Sequence, residues 1–234
     1  MSDLDGAALF HDLHQRPGRP LVLANCWDVV TARLVEEAGA AALATTSAAV
    51  AWSLGRPDGH RLELDLMLAT LRRITTAVDV PVSCDIEGGF GEDDAALAAA
   101  VRGVIEAGAV GVNLEDSTGS GPLRSIDEAA HRVRVVRDAA RKAGVDLFIN
   151  ARTDTYLSGS GDLDETVLRG RAFVEAGASG VFVPGTGDLD VIGTLVEAVP
   201  APLNVLVGPG SPTVPELDGA LTHAELNALQ RPPG

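Results

Sequence analysis

Aromatic side chains are scarce in this 234-residue chain: Phe, Trp and Tyr make up 3% of it, against 46% hydrophobic residues. A core of that composition is built from Ala, Val, Leu and Ile, which suits helices packed on a parallel sheet. Positive charge is scarce too. Lys and Arg total 18 against 33 Asp and Glu, a formal charge of −15. That surplus repels polyanions, so neither nucleic acid nor a membrane surface is expected as a partner. A small anionic substrate is not excluded, because one bound Mg²⁺ reverses the field locally. The only two cysteines, Cys26 and Cys84, lie inside apolar, strand-like runs, where reduced thiols fit better than a disulfide. No apolar run approaches the roughly 18 residues of a membrane helix. Met1 to Gly6 carries acids, not the basic start of a signal peptide. A cytoplasmic protein is expected.

What the chain does have is a weak internal repeat. Glu37-Ala38-Gly39-Ala40, Glu106-Ala107-Gly108-Ala109 and Glu175-Ala176-Gly177-Ala178 each close a helical pattern, and Lys142-Ala143-Gly144-Val145 is a looser copy. Glycine just past a helix end is a C-terminal cap signal. Strands are expected after each, at 41–46, 111–115, 147–152 and 180–184, with three more at 21–26, 81–87 and 203–207. Between them lie apolar stripes at helical spacing: Leu64, Leu68, Leu71 and Ile74; Leu97, Val101, Val104 and Ile105; Ala129, Val133, Val136 and Ala140. Asp93 or Asp94, and Asp164, stand where helix N-caps belong. Alternating strand and helix implies a parallel sheet. The length suits one (β/α)8 barrel of the TIM type, which has eight strands. Seven are recognisable and the eighth is missing, so the barrel reads as truncated. Residues 1–217 form one domain and 218–234 an atypical tail with a short helix at 222–229.

In such barrels the chemistry sits at the C-terminal ends of the strands. Those ends read Thr46 and Ser47, then Asp85 and Glu87, then Glu115 and Asp116, then Arg152 and Asp154. Strand alternation puts Ser83, Asp85 and Glu87 on one face, and likewise Asn113 with Glu115 and Asn150 with Arg152. Neighbouring carboxylates at the end of an apolar strand need a proton or a cation to be tolerated. Oxygen donors suit Mg²⁺ or Mn²⁺. Such an ion can polarise a carbonyl and stabilise an enolate. Arg152 offers a planar fork for a carboxylate or phosphonate. Of the five histidines only His60, near Asp58 in a loop, draws attention. Gly88-Gly89-Phe90-Gly91 reads as a loop that lets backbone approach closely.

Across roughly residues 19 to 217 the chain resembles the isocitrate lyase and phosphoenolpyruvate mutase superfamily. The matching segments are Ala24-Asn25-Cys26-Trp27-Asp28, Thr45-Thr46-Ser47, Gly55-Arg56-Pro57-Asp58-Gly59, Asp85-Ile86-Glu87-Gly88-Gly89-Phe90-Gly91, Asn113-Leu114-Glu115-Asp116 and Asn150-Ala151-Arg152-Thr153-Asp154. The resemblance implies a Mg²⁺-dependent barrel, homo-oligomeric, acting on small 2-oxo acids or phosphonates. It makes Asp85 the main metal anchor, with Glu87 and Glu115 holding metal-bound waters. It gives Thr46 and Ser47 to the carboxylate and enolate oxygens of a pyruvyl unit and Arg152 to the substrate's oxyanion side. Asp58 matches an acid near the reacting end, so Thr46, Asp58 and Arg152 are the expected catalytic residues. Two departures stand out. The lyase branch carries Lys-Lys-Cys-Gly-His on a loop after the fourth strand, where this chain has Asp116-Ser117-Thr118-Gly119-Ser120-Gly121-Pro122. The family's eighth strand is also unmatched. The expected reaction is C–C cleavage or decarboxylation beside a pyruvyl group. The alternatives are P–C rearrangement or hydrolysis of a phosphonate, and a catalytically weak barrel kept as a binding or vestigial protein.

Overall fold

The four cap glycines all adopt the left-handed backbone their positions demand, with φ of 94° at Gly39, 90° at Gly108, 75° at Gly144 and 103° at Gly177. Each lets the chain leave a helix and turn into the next strand, as a residue without Cβ can do at little cost. The structure is a computed structural model and describes residues 3–16, 20–119, 121–159, 161–208 and 210–218. Helix α1 (Asp3–His14) comes first. There follow β1 (Ala24–Cys26), α2 (Val29–Glu37), β2 (Leu43–Thr45), α3 (Ser47–Ser53) and α4 (Leu64–Ala77). The chain continues with β3 (Val82–Asp85), α5 (Asp94–Glu106), β4 (Gly111–Glu115), α6 (Ile126–Ala143) and β5 (Phe148–Arg152). It ends in α7 (Leu163–Glu175), β6 (Gly180–Val183), α8 (Leu189–Ala198) and β7 (Leu203–Val205).

All seven strands pair in parallel in chain order, β1 beside β2 through to β7. They make a curled, incomplete barrel, and no eighth strand is present among the described residues. The expected tail helix at 222–229 lies outside those residues. The strands are shorter than periodicity suggested: β1 and β2 have three residues each, and β3 ends at Asp85 rather than Glu87. Helix starts follow side-chain chemistry. Asp93 caps α5 by accepting from Ala96 N–H, and Asp162, not Asp164, caps α7 by accepting from Glu165 N–H. Asp164 instead sits in the first turn of α7, where an acid complements the helix dipole.

The apolar stripes bury as expected. Leu97, Val101 and Val104 of α5 are fully buried, each side chain contributing roughly 2 kcal/mol by leaving water. The main core runs from α1 through β5 and α6, and a separate small cluster joins Val181, Val183, Leu195 and Val199. Helix α1 closes the floor of the sheet. Its Phe10 meets Phe148 edge-on at 5.4 Å, and His14 stacks on the same ring at 3.9 Å. Both cysteines are buried and free, and burial pushes their thiols up, to about 11 for Cys26 and about 12 for Cys84. Among the described residues no helix is long and apolar enough to cross a membrane.

Candidate active site

Strand register alone assembles most of the site. Asp85 lies beside Asn113, and Glu115 beside Arg152. Asn150 donates its side-chain amide to Asn113 Oδ1 at 2.8 Å, so the alternation read from the sequence holds on β4 and β5. Asp85 is buried, and both its oxygens are engaged. Oδ2 accepts from Ser47 N at 3.1 Å and Ser47 Oγ at 2.7 Å, and Oδ1 accepts from Glu87 N at 3.1 Å. The Asp85 N–H donates to Thr45 Oγ1 at 3.0 Å. Ser47 therefore stands against Asp85. The hydroxyl that meets β3 belongs to Thr45, while Thr46 is half-buried and precedes α3.

Glu87 reaches the mouth by a different route from the one alternation suggests. The strand has ended, and Glu87 adopts a left-handed backbone with φ of 48°. Its carboxylate accepts the backbone N–H of His60, another left-handed residue. Burial pushes the Glu87 carboxyl up, with Asp85 and Glu115 adding to the effect and the His60 N–H opposing it.

The His60 ring is the group that sequence reasoning undervalued. Its Nε2 stands 2.6 Å from Glu115 Oε1 and 3.8 Å from Glu87 Oε2. The hydrogen bond to Glu115 raises the imidazole above its ordinary value, although burial works the other way. Asp58, two residues earlier, is exposed and forms no hydrogen bond or ion pair among the described residues. The structure thus brings His60 and not Asp58 to the acids. A hint was available in Gly59-His60, a glycine that lets the loop turn back.

Arg152 is shared by two acids. Its Nε and Nη2 form a two-pronged contact with Asp154 at 2.6 and 3.0 Å, and Nη1 meets Glu115 Oε2 at 3.1 Å. Its face lies over Phe182, 5.7 Å from the ring centre. Glu115 also accepts from Ser117 Oγ at 2.5 Å. Burial opposes its charge, yet His60, Arg152 and Ser117 together hold the Glu115 carboxyl below the usual range. Asp154 is pushed up by burial despite Arg152. Beneath this layer Asp116 is buried, bound by Asp154 N–H at 3.0 Å and Arg169 Nη1 at 3.0 Å.

Asp85, Glu87, Glu115 and Asp154 thus face Arg152 and His60. Four carboxyl groups converge on two cationic groups in a largely buried mouth, an excess of two acids over bases. The donors Asp85, Glu87, Glu115 and Ser47 are all oxygen, the chemistry of a hard divalent cation. Among the described residues no three His, Cys, Asp or Glu side chains are arranged to hold an ion by themselves. A cavity lies elsewhere: an apolar groove of about 720 Å³ beside β1, lined by Leu21, Val22, Val35 and Val214 among others. It lacks the convergent acids and carries none of this chemistry.

Comparison with known proteins bears on the same segments. Residues 10–223 match the family model described as phosphoenolpyruvate phosphomutase. An uncharacterised protein of Mycobacterium tuberculosis (strain H37Rv) is 39% identical over 202 residues, 86% of this chain and 74% of that protein. The 2-methylisocitrate lyase of Escherichia coli (strain K12) is 34% identical over 193 residues, covering 79% of this chain and 64% of the lyase. The chain thus spans a little under two thirds of that enzyme's length. A crystal structure from Burkholderia cenocepacia J2315, provisionally named a phosphonomutase, superposes with a TM-score of 0.89 at 43% identity. That match covers 97% of this chain and 96% of the other.

Proposed function

Since the chain belongs to the phosphoenolpyruvate phosphomutase family, whose members include lyases and mutases of small organic acids, we propose the following. It is a Mg²⁺-dependent enzyme that makes or breaks a C–C bond beside the pyruvyl group of a small 2-oxo acid. The observation that carries this reading is the convergence of four acids on two basic groups in the mouth formed by Asp85, Glu87, Glu115, Asp154, Arg152 and His60. Asp85 would hold the ion, with Glu87 and Glu115 reaching it directly or through water. Once bound, it would polarise the 2-oxo oxygen and carry the negative charge that develops there.

The chain's own groups supply the rest. Three of the five Arg152 N–H donors are taken by Asp154 and Glu115, leaving one on each terminal nitrogen for a substrate oxyanion. Those two acids fix the guanidinium plane before substrate arrives, which lowers the ordering cost of binding. Ser47, now bonded to Asp85 through both N and Oγ, would turn its hydroxyl to the substrate carboxylate, with Thr46 beside it. His60 Nε2 stands 2.6 Å from Glu115 Oε1, and its side chain is more exposed than those of Glu87 and Glu115.

The 43% identical structure provisionally named a phosphonomutase favours a second reading, rearrangement or hydrolysis of a phosphonate P–C bond. One screen separates the two. Purified protein is given Mg²⁺ with oxaloacetate-like 2-oxo acids and with phosphonopyruvate, and pyruvate and phosphate release are measured. Pyruvate from the 2-oxo acids supports the first reading, and phosphate or a rearranged product supports the second. A well-folded protein that turns over neither would leave a binding or vestigial barrel.

A further inference from the structure

The loop that carries Glu87 is held from behind by a buried arginine. Arg132, on α6, is 4% exposed. Its Nη2 donates to the carbonyls of Gly88 and Gly91, and its Nη1 to the carbonyl of Glu92 at 3.2 Å. No carboxylate pairs with it among the described ion pairs. A guanidinium in the interior is costly unless its donors are used; here Nη1 and Nη2 are used by one short segment of backbone, while the buried Nε has no partner among the described residues. Its planar fork reaches several acceptors at once, which a lysine ammonium does not reproduce.

The loop is built to receive it. Gly89 has φ of 100°, and a Cβ there would stand 2.4 Å from Leu97 Cδ1 and 3.0 Å from Arg132 Nη2. Phe90 is left-handed at 55° and Glu87 at 48°. On the other side, the Glu87 carbonyl accepts Glu115 N–H at 3.0 Å. The peptides on both sides of Gly88 are therefore fixed, one by β4 and the next by Arg132. That fixes the direction in which Glu87 leaves a backbone that L-residues seldom adopt.

We propose that Arg132 is a positioning residue for the cation site. It touches neither ion nor substrate, and it sets the ion's affinity by holding Glu87 in its left-handed turn. This rests on the Mg²⁺ reading above. The test is a calorimetric Mg²⁺ titration of wild type, Arg132→Lys, Arg132→Met and Glu87→Gln, with circular dichroism and thermal melts for each. Folded Arg132→Lys is expected to bind Mg²⁺ about tenfold to a hundredfold more weakly, the usual loss when a support behind a ligand is removed, and to match Glu87→Gln in direction. Wild-type affinity in a folded Arg132→Lys would overturn the role of Arg132 and leave the functional reading intact. A wild type that binds no Mg²⁺ would remove the functional reading itself. Where the Met variant fails to fold, the Lys variant and one wild-type measurement carry the test. Hydrogen exchange at amides 88–92 should slow on adding Mg²⁺, and an unchanged rate would count against the proposal.

Discussion

Strands β1 to β5 and strands β6 and β7 form one continuous sheet, yet the two regions are packed and equipped differently. Strand β3 is buried along its length, whereas every residue of β7 is only half-buried. Just past β7, Leu206 and Val207 are 51% and 48% exposed. The large core belongs to the first region, and the second has only the cluster around Val181, Val183, Leu195 and Val199. The acids, Arg152 and Ser47 follow β2 to β5, while β6 runs out into Pro184 and Gly185. A buried charged cluster needs dry walls and fixed neighbours. The first region supplies both, and the second adds Phe182 of β6 under the face of Arg152.

Four experiments would break or sharpen that contrast, in decreasing order of effect. Asp85→Ala should lower turnover by about 10³-fold or more, the scale of losing a principal electrostatic group, in a protein whose circular dichroism is retained. Steady-state kinetics on the substrate found by the screen measures it, and near-normal turnover would detach the chemistry from β3. Next, Leu97→Ala and Leu195→Ala compare the two cores. Both side chains are fully buried, but the small cluster can collapse onto a smaller void. About 4 kcal/mol is expected for Leu97 and about 2 for Leu195. Equal costs in denaturant titration would erase the distinction. Third, amides of β7 should exchange with deuterium well before those of β3 and β4, because local opening follows burial. Synchronous exchange would show a single cooperative sheet.

The smallest effect concerns pH. Glu115 raises His60 above its ordinary value of 6.5. In metal-free protein that pairing contributes stability fully below about pH 6.5, and the contribution is lost as pH rises through the folded-state value. His60→Asn should therefore flatten the decline in melting temperature between neutral and alkaline pH. An unchanged slope would place the titration elsewhere.

The sheet and the cap glycines were legible in the sequence because both are local, periodic signals. So was the placing of Glu115 and Arg152 at the ends of their strands, though not the register that pairs them. Glu87 was legible as a residue but not as a conformation: strand periodicity cannot foretell that β3 stops at Asp85 and the chain turns left-handed. His60 was obscured because its partner Glu115 lies 55 residues away, and Asp58 in the same loop was the more obvious acid. Arg132 gave no sign, sitting among other arginines on a helix whose exposed face is charged. The reaction is less legible than the site. The acids and Arg152 define which charge can be stabilised, and the bond that breaks depends on groups the substrate brings.

Helix α1 has a consequence for how the chain comes into being. His11 bonds the carbonyl of Asp146 across 135 residues, and Phe10 and His14 wait for Phe148. At about 5–20 residues per second, the ribosome makes that helix roughly 7 to 30 seconds before its partner ring exists. During that interval the side of α1 that meets Phe148 lacks its native partner. The floor of the barrel is thus synthesised well before the strand that seats it.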